Sequence, residues 1–484
     1  MPKFQKYTIF TLNLDAAYCI LVKKQRQVKD VDVTVKIPDR AKVLIDILCK
    51  NGYKAYAVGG CVRDSILGRT PNDWDICTSA TPEQMLKVFS RFRVIETGIS
   101  HGTVTVLCDA EPYEITTFRI DGSYSDNRRP DFVSFTSELE EDLLRRDFTI
   151  NAMAYNEKDG LCDPYGGKAD IENKVIRCVG QAKKRFEEDA LRILRALRFS
   201  CQLEFDIEEE TARQIHLQKE RLKNVSAERI CTELCKMLVC PSFFEKLERY
   251  RDVFCVFIPQ MEKMIGFEHN NPHHIYDVFM HTVYAVKYCP SDELVTKLAL
   301  LLHDIGKPYV YSEDEKGIGH FYSHGKKSAQ ICDEVLKNLK FDNATRKDVT
   351  ELVLYHDTPV ENTKKSVKKW LGKIGQVQLL RLMDVKEGDN RSHAVQFVEE
   401  RIEYIRQVRL IIDEVLKENE CFSLKDLAVK GDDIINAGCK KGKTVGEILA
   451  ILLDEVICEN ISNDKESLLK LAKELIQSKG GDNR

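Results

Sequence analysis

Strand-forming segments in this chain of 484 residues stop at about residue 180, and nearly everything after that point reads as helix. Before it, residues 53–58, 103–107 and 113–118 read as short strands, divided by glycine-rich or charged turns. The division predicts an α+β protein, with a mixed head on the N-terminal side and helical layers behind it. Hydrophobic residues make up 43% of the chain, enough to bury cores for roughly three domains of ~150 residues each.

Pro38 and Asp39 open an amphipathic helix that carries Ala41, Val43, Leu44, Ile47 and Leu48. Residues 1–33 are therefore expected to be a peripheral extension, and residues 34–180 the head. Residues 181–266 read as a helical neck. Pro272, Pro290, Pro308 and Pro359 punctuate a further helical unit at 267–395, and residues 396–484 form a helical tail. With 73 basic and 77 acidic residues the net charge is −4, so any nucleic-acid binding must come from local basic patches. Such patches recur at 183–185, 219–223, 364–369 and 440–443, as expected of a helical arm that tracks phosphates. The 17 cysteines include no C-x-x-C pair, which points to reduced cytoplasmic thiols rather than a disulfide framework or a zinc ribbon. No apolar run reaches 18 residues, so no membrane span is expected.

Two constellations carry chemistry. The strand ending at Val58 runs into Gly59-Gly60-Cys61-Val62-Arg63-Asp64. Its glycines allow close backbone approach to a phosphate, and Arg63 adds a fork of donors. Asp73 and Asp75, two apart, would point to one face of a strand and share divalent cations, as nucleotidyl transfer requires. Asp30 and Asp32 have the same spacing without that context. Glu114 opens another strand and could complete the acidic site. A helix from Phe186 would turn Ala190, Ile193, Leu194 and Leu197 inward and Glu188, Asp189, Arg192 and Arg195 outward. On that outer face Asp189 could accept from an exocyclic amine of cytosine or adenine, while Arg192 donates to a ring nitrogen or carbonyl. The second constellation is His281, His303-Asp304, His324, His356-Asp357 and Asp389, a mixture of imidazoles and carboxylates suited to one or two transition-metal ions.

The segments 59–64, 73–75, 114–119, 145–153 and 188–192 follow one another in an order that resembles the bacterial class II tRNA nucleotidyltransferase and poly(A) polymerase family, in particular its CCA-adding members with an HD domain. The likeness spans residues 34–484. It implies a polymerase-beta-like head in which Gly59, Gly60 and Arg63 hold the nucleoside triphosphate, Asp73 and Asp75 bind magnesium, and Glu114 is a further catalytic carboxylate. Arg146 would contact the nucleotide, Glu188, Asp189 and Arg192 would select CTP and ATP, and Arg195 and Arg198 would face the triphosphate. The loop at 121–130 would accompany the switch from C to A addition. The second set resembles HD-domain metal phosphohydrolases, with His281, His303, Asp304 and Asp389 as the basic metal set and His324 and His356 as the extra positions of two-metal members. The resemblance implies CCA addition to the 3′ end of tRNA without a nucleic-acid template, a second divalent metal in the HD unit, and an accessory phosphohydrolase. Poly(A) polymerase and CC-adding activity share the same residues and remain alternatives. A metal phosphohydrolase acting on RNA ends is the alternative of another class.

Overall fold

A computed structural model describes residues 35–96, 98–122, 132–418 and 421–480. The extension at 1–33, the Asp30/Asp32 pair and most of the loop at 121–130 lie outside the described residues. The chain divides into two compact units, one holding residues up to Asp121 with Val133–Ile171, the other holding Gly122–Phe132 and the chain from Glu172 onward.

The first unit is built on a seven-stranded sheet: β1 (Ala55–Val58), β2 (Ile76–Thr78), β3 (Arg93–Ile95), β4 (Thr103–Cys108), β5 (Glu111–Thr117), β6 (Ala154–Asn156) and β7 (Gly160–Cys162). Their order is β3-β4-β5-β2-β1-β6-β7, and every pair is antiparallel except β2–β5. All four residues of β1 are buried, as a strand paired on both sides and covered on both faces should be. β4 alternates half-buried threonines and a leucine with buried Val104, Val106 and Cys108, so one of its faces meets the core. Helix α1 (Asp39–Lys50) buries Ala41, Leu44, Ile45 and Leu48 and packs on β1. Short α2 (Gly60–Ile66) follows β1 directly, and α3 (Leu139–Leu144) precedes the Arg145-Arg146 pair.

The second unit is largely helical but, among the described residues, holds two short strand pairs. Val175–Ile176 pairs in parallel with Asp206–Ile207, and Ser312–Glu313 pairs with Gly319–His320 in a small hairpin. The helix expected from Phe186 is interrupted: α4 (Ala182–Glu188) ends, Asp189 is extended at φ −143°, ψ 104°, and α5 (Leu191–Leu203) begins. Next used are α6 (Ala227–Leu238), α7 (Val278–Lys287), α8 (Leu294–Leu302), α9 (His324–Asn338), α10 (Asn343–Tyr355) and α11 (Lys364–Arg391). Leu427, Ile434, Ile448, Leu452 and Leu468 form a separate apolar cluster near the C-terminal end. Among the described residues no helix is long and apolar enough to cross a membrane.

Candidate functional site

Asp75 closes the β1–β2 ladder, where the Val58 N–H donates to its carbonyl at 3.0 Å. Asp73 and Trp74 lie in the loop before β2, so the two carboxylates are not carried on one strand as the spacing suggested. The ladder ends there because β1 turns away at Gly59 one residue later. Ile76 pairs with Ile115 in the parallel β2–β5 register, which sets Asp75 beside Glu114. Glu114 lies within β5 and exposed, rather than at its start. Partial burial first, then the like charges of Asp73 and Glu114, push the Asp75 carboxyl up to about 6 against the pull of Arg146. Hard oxygen donors crowded in this way fit a divalent cation, whose charge would relieve the repulsion.

Gly59 leaves β1 at φ +85°, ψ −129°, a conformation that glycine reaches without steric penalty. A Cβ there would stand 3.0 Å from Arg146 Nη1, so that guanidinium lies over the turn. Gly59→Ala is expected to cost about 1–3 kcal/mol through backbone strain and to displace Arg146. A lower urea midpoint at unchanged slope would report it, and an unchanged midpoint would refute it.

Arg145 and Arg146 share a partner in Asp142, fully buried, at 2.8 Å from Arg145 Nη2 and 3.6 Å from Arg146 Nη2. Arg63 is 9% exposed, donates to Asn151 Oδ1 at 2.7 Å and pairs with Asp64 at 2.8 Å. Asn151 in turn donates to Asp147 at 3.2 Å. The i,i+3 and i,i+4 spacing to Arg145 and Arg146 was the one signal in the sequence for Asp142.

In the second unit Asp189 sits in the gap between α4 and α5. Its Oδ1 accepts from the Leu191 N–H at 3.0 Å and its two oxygens meet Arg229 of α6 at 3.2 and 2.7 Å. Arg192 is 9% exposed rather than turned to solvent, and its Nη1 donates to Glu188 at 2.7 Å and to the Arg185 carbonyl at 3.2 Å. Arg198 pairs with buried Glu233 at 2.6 Å and, with Arg195, lies over the Phe199 ring. No local pattern pointed to Arg229, which is 40 residues from Asp189.

The histidine and aspartate residues converge in two groups: His281, His303 and Asp389, and Asp304, His324 and His356. His303 caps the C-terminal end of α8, His356 caps that of α10, and His324 opens α9. Each Nδ1 faces a carbonyl, at 2.7 Å on Leu300, 2.9 Å on Phe321 and 2.7 Å on Val353, which leaves Nε2 for the centre. His281 Nδ1 is held by Ser392 Oγ at 2.9 Å, and that hydroxyl donates to the Asp389 carbonyl. The Nε2 atoms of His324 and His356 stand 3.0 Å apart, and those of His281 and His303 3.4 Å apart. Asp304 is 1% exposed and neither of its oxygens has a well-formed hydrogen bond. Oδ2 lies 2.7 Å from Lys307 Nζ and 3.4 Å from His281 Nε2, while Oδ1 lies 3.6 Å from both His324 and His356. Facing lone pairs around an under-satisfied carboxylate fit metal ions on either side of it.

Burial raises Asp304, but His303 and Lys307 outweigh it and hold that carboxyl well below its usual range. Burial keeps the neighbouring His269 and His393 imidazoles neutral, lowering them to about 2 and about 4. A Cβ on Gly388 would stand 2.8 Å from the Ala285 carbonyl, so glycine lets α11 come close enough to α7 for Asp389 to reach His281. Ser392, Lys307, His269 and His393 were not picked out from the sequence.

Among the basic patches, Lys364, Lys368 and Lys369 pair with Glu414, Glu459 and Asp454, whereas Lys440, Lys441 and Lys443 are exposed.

Residues 55–177 match the family described as poly A polymerase head domain, residues 204–263 an RNA- and SrmB-binding site of polymerase A, and residues 313–472 tRNA nucleotidyltransferase domain 2. The chain is 34% identical over 463 residues to a CCA-adding enzyme of Ligilactobacillus salivarius, covering 92% of this chain and 100% of that one. It is 32% identical to a CCA-adding enzyme of Bacillus cytotoxicus, over 89% of this chain and 96% of that one. A crystal structure of the Bacillus stearothermophilus CCA-adding enzyme in complex with CTP aligns with TM-score 0.67 and 27% identity, over 92% of this chain and 98% of that chain.

Proposed function

The chain belongs to the CCA-adding enzyme family, and on that premise we propose that it adds CCA to the 3′ end of tRNA from CTP and ATP, with no nucleic-acid template. The observation that carries this reading is the carboxylate cluster of Asp73, Asp75 and Glu114 in the unit where Arg146 overlies the Gly59 turn. Nucleotidyltransferases of this family use a divalent metal, and magnesium on Asp73 and Asp75 would neutralise charge on the triphosphate and the departing pyrophosphate. The tRNA 3′ hydroxyl attacks the α-phosphorus in line, its new P–O bond forming as the bond to pyrophosphate breaks. Gly59 and Gly60 admit the triphosphate close to backbone, while Arg63, fixed by Asn151 and Asp64, and Arg146, fixed by Asp142, supply oriented donors.

Selection of the base falls to Asp189 and Arg192. A carboxylate offers about four acceptor positions. Those used by Leu191 and Arg229 leave Asp189 able to accept from the amine of cytosine or adenine. Uracil and guanine present a carbonyl oxygen at the corresponding position, so one acceptor would face another with no proton between them. Glu188 anchors Arg192, and Arg195 and Arg198 extend the basic surface of α5. Arg229→Ala releases the Asp189 side chain. It is expected to lower kcat/KM for CMP addition about 10- to 100-fold, the worth of one charge-assisted pair, and to raise UMP misincorporation. Equal loss for all nucleotides would assign Arg229 a purely structural role.

Exposed Lys440, Lys441 and Lys443 suit contact with the phosphates of tRNA. Residues 34–180 serve as the head, 181–266 as the neck, 267–395 as an HD unit and 396–484 as the RNA-binding tail of a cytoplasmic enzyme. His281, His303, Asp304, His324, His356 and Asp389 would hold one or two divalent transition metals, which would activate water for an accessory hydrolysis of phosphoesters. The deciding experiment supplies tRNA lacking its CCA end with CTP, ATP or both. Two cytidines and one adenosine are expected with both nucleotides. Long tails from ATP alone would instead identify a poly(A) polymerase, and arrest after two cytidines a CC-adding enzyme. His303→Ala is expected to leave this addition intact.

A further inference from the structure

We infer that Cys231 and Cys235 of α6 form a modification site, a dithiol that hydroperoxides convert reversibly into an intrahelical disulfide, and that this change acts on the buried pairing of Glu233 with Arg198. The two cysteines belong to neither of the constellations described above.

The two sulfurs face each other at 3.9 Å, four residues apart on α6, and both residues are half-buried, within reach of a small peroxide. Cα atoms four residues apart on a helix stand ~6 Å apart, inside the ~4.4–6.8 Å that a disulfide spans. Their Cβ atoms, ~5–6 Å apart, must close to ~3.5–4.5 Å, so α6 has to change shape locally when the bond forms. The chain permits this here. Cys235 belongs to the last turn of α6, where the Cys240 N–H closes on the Met237 carbonyl at 2.9 Å, and Pro241 stops any continuation of the helix. A disulfide held against the helix is readily reduced, which makes the change reversible.

The Cys235 thiol, donating to Cys231, draws that sulfur below the usual thiol range against partial burial and the charges of Asp342 and Glu228. Burial instead pushes the Cys61 and Cys332 thiols up to about 12, which keeps them protonated and inert. Cys231 is therefore the attacking sulfur and Cys235 the resolving one. The Cys231 thiolate attacks one peroxide oxygen, the O–O bond breaks, and the departing oxygen takes up a proton as water or alcohol. Cys235 then attacks the sulfenic sulfur. The S–S bond forms, the S–O bond breaks, and hydroxide leaves with the Cys235 proton as water. Two thiols lose two electrons and the peroxide gains them. At ~100° per residue, Glu233 and Arg229 lie on the side of α6 opposite the two cysteines. Glu233 is 5% exposed and meets Arg198 of α5 at 2.6 Å, so reshaping α6 between residues 231 and 235 displaces a buried charge pair.

The full chain is treated with hydrogen peroxide or tert-butyl hydroperoxide, its remaining thiols are blocked with iodoacetamide, and it is digested with trypsin. Cleavage after Arg229 and Lys236 frees residues 230–236, which hold these two cysteines and no other. That peptide is expected to carry no alkyl group and to be lighter by two hydrogens than its reduced form. After dithiothreitol it should be doubly alkylated. Addition of CMP to tRNA lacking its CCA end should fall about tenfold in step with the disulfide, the effect of one disturbed charge pair, and recover with dithiothreitol. A Cys231→Ser/Cys235→Ser double variant should keep full addition before treatment and lose the part of the inhibition that dithiothreitol reverses. Cys235→Ser alone should stop at a sulfenic acid on Cys231, trapped by dimedone. A peptide that stays doubly alkylated, or that carries sulfinic or sulfonic acid on one cysteine alone, would overturn the dithiol. A disulfide with CMP addition unchanged would overturn its hold on Glu233 and Arg198. The mass of the peptide does not depend on the activity proposed above: if the untreated chain adds no CMP, that activity falls, and the peptide still decides the dithiol.

Discussion

Asp75→Ala should reduce CMP and AMP addition by about a thousandfold or more, with tRNA affinity and the urea midpoint little changed. The loss follows from removing a carboxylate whose cation is worth several kcal/mol of charge stabilisation, at about 1.4 kcal/mol per decade of rate. Stability should hold because Asp75 is a part-buried carboxylate held among like charges, and its removal relieves Asp73 and Glu114. Single-turnover addition of CMP to tRNA lacking its terminal nucleotides reads the first effect, and a denaturation curve the second. Activity within tenfold of wild type would remove Asp75 from the reaction. Glu114→Gln serves as the graded comparison: standing beside Asp75 on the neighbouring strand, it should cost less than Asp75→Ala.

Asp304→Ala should destabilise the second unit by about 3–5 kcal/mol, the usual consequence of removing one member of a buried ion pair. Its partner Lys307 is only 6% exposed and would keep a buried ammonium with no carboxylate at 2.7 Å. Bound transition metal, measured by elemental analysis after dialysis against Mn²⁺, should fall to background. His324→Ala separates the two effects. It should lose metal with a far smaller change in midpoint, because no buried charge is orphaned. Equal metal content in wild type and both variants would reject the cluster as a metal site, whatever the stability result.

Short-range pattern carried the reading of residues a long way. Gly59, Asp73 and Asp75 stand out because their spacing is local and His303-Asp304 because the pair closes an apolar run, while His281, His324, His356 and Asp389 gained their roles from the likeness to HD-domain phosphohydrolases. These six histidine and aspartate residues do converge, in two triads. What escaped depends on pairing across the chain. The Asp73/Asp75 strand was an inference from side-chain alternation, but the ladder to β1 ends at Asp75. The continuous helix through Asp189 followed from periodicity, which is blind to a carboxylate that can cap the next helix. Arg229, Glu233 and Ser392 meet side chains 40, 35 and 111 residues away. Nothing local marks them. The two-residue strands near 175 and 206 were likewise invisible, since each exists only through the other.

The interruption at Asp189 bears on how nucleotide choice could drift or be redesigned. A carboxylate inside a regular helix takes its direction from that helix, whereas this one is aimed by a guanidinium on a separate element. On the role proposed for Asp189, changes in α6 that shift Arg229 by a fraction of an ångström would re-aim it while every side chain proposed to contact the base stays the same. Fidelity would then be adjustable from behind, and sequence surveys confined to contact residues would overlook the lever.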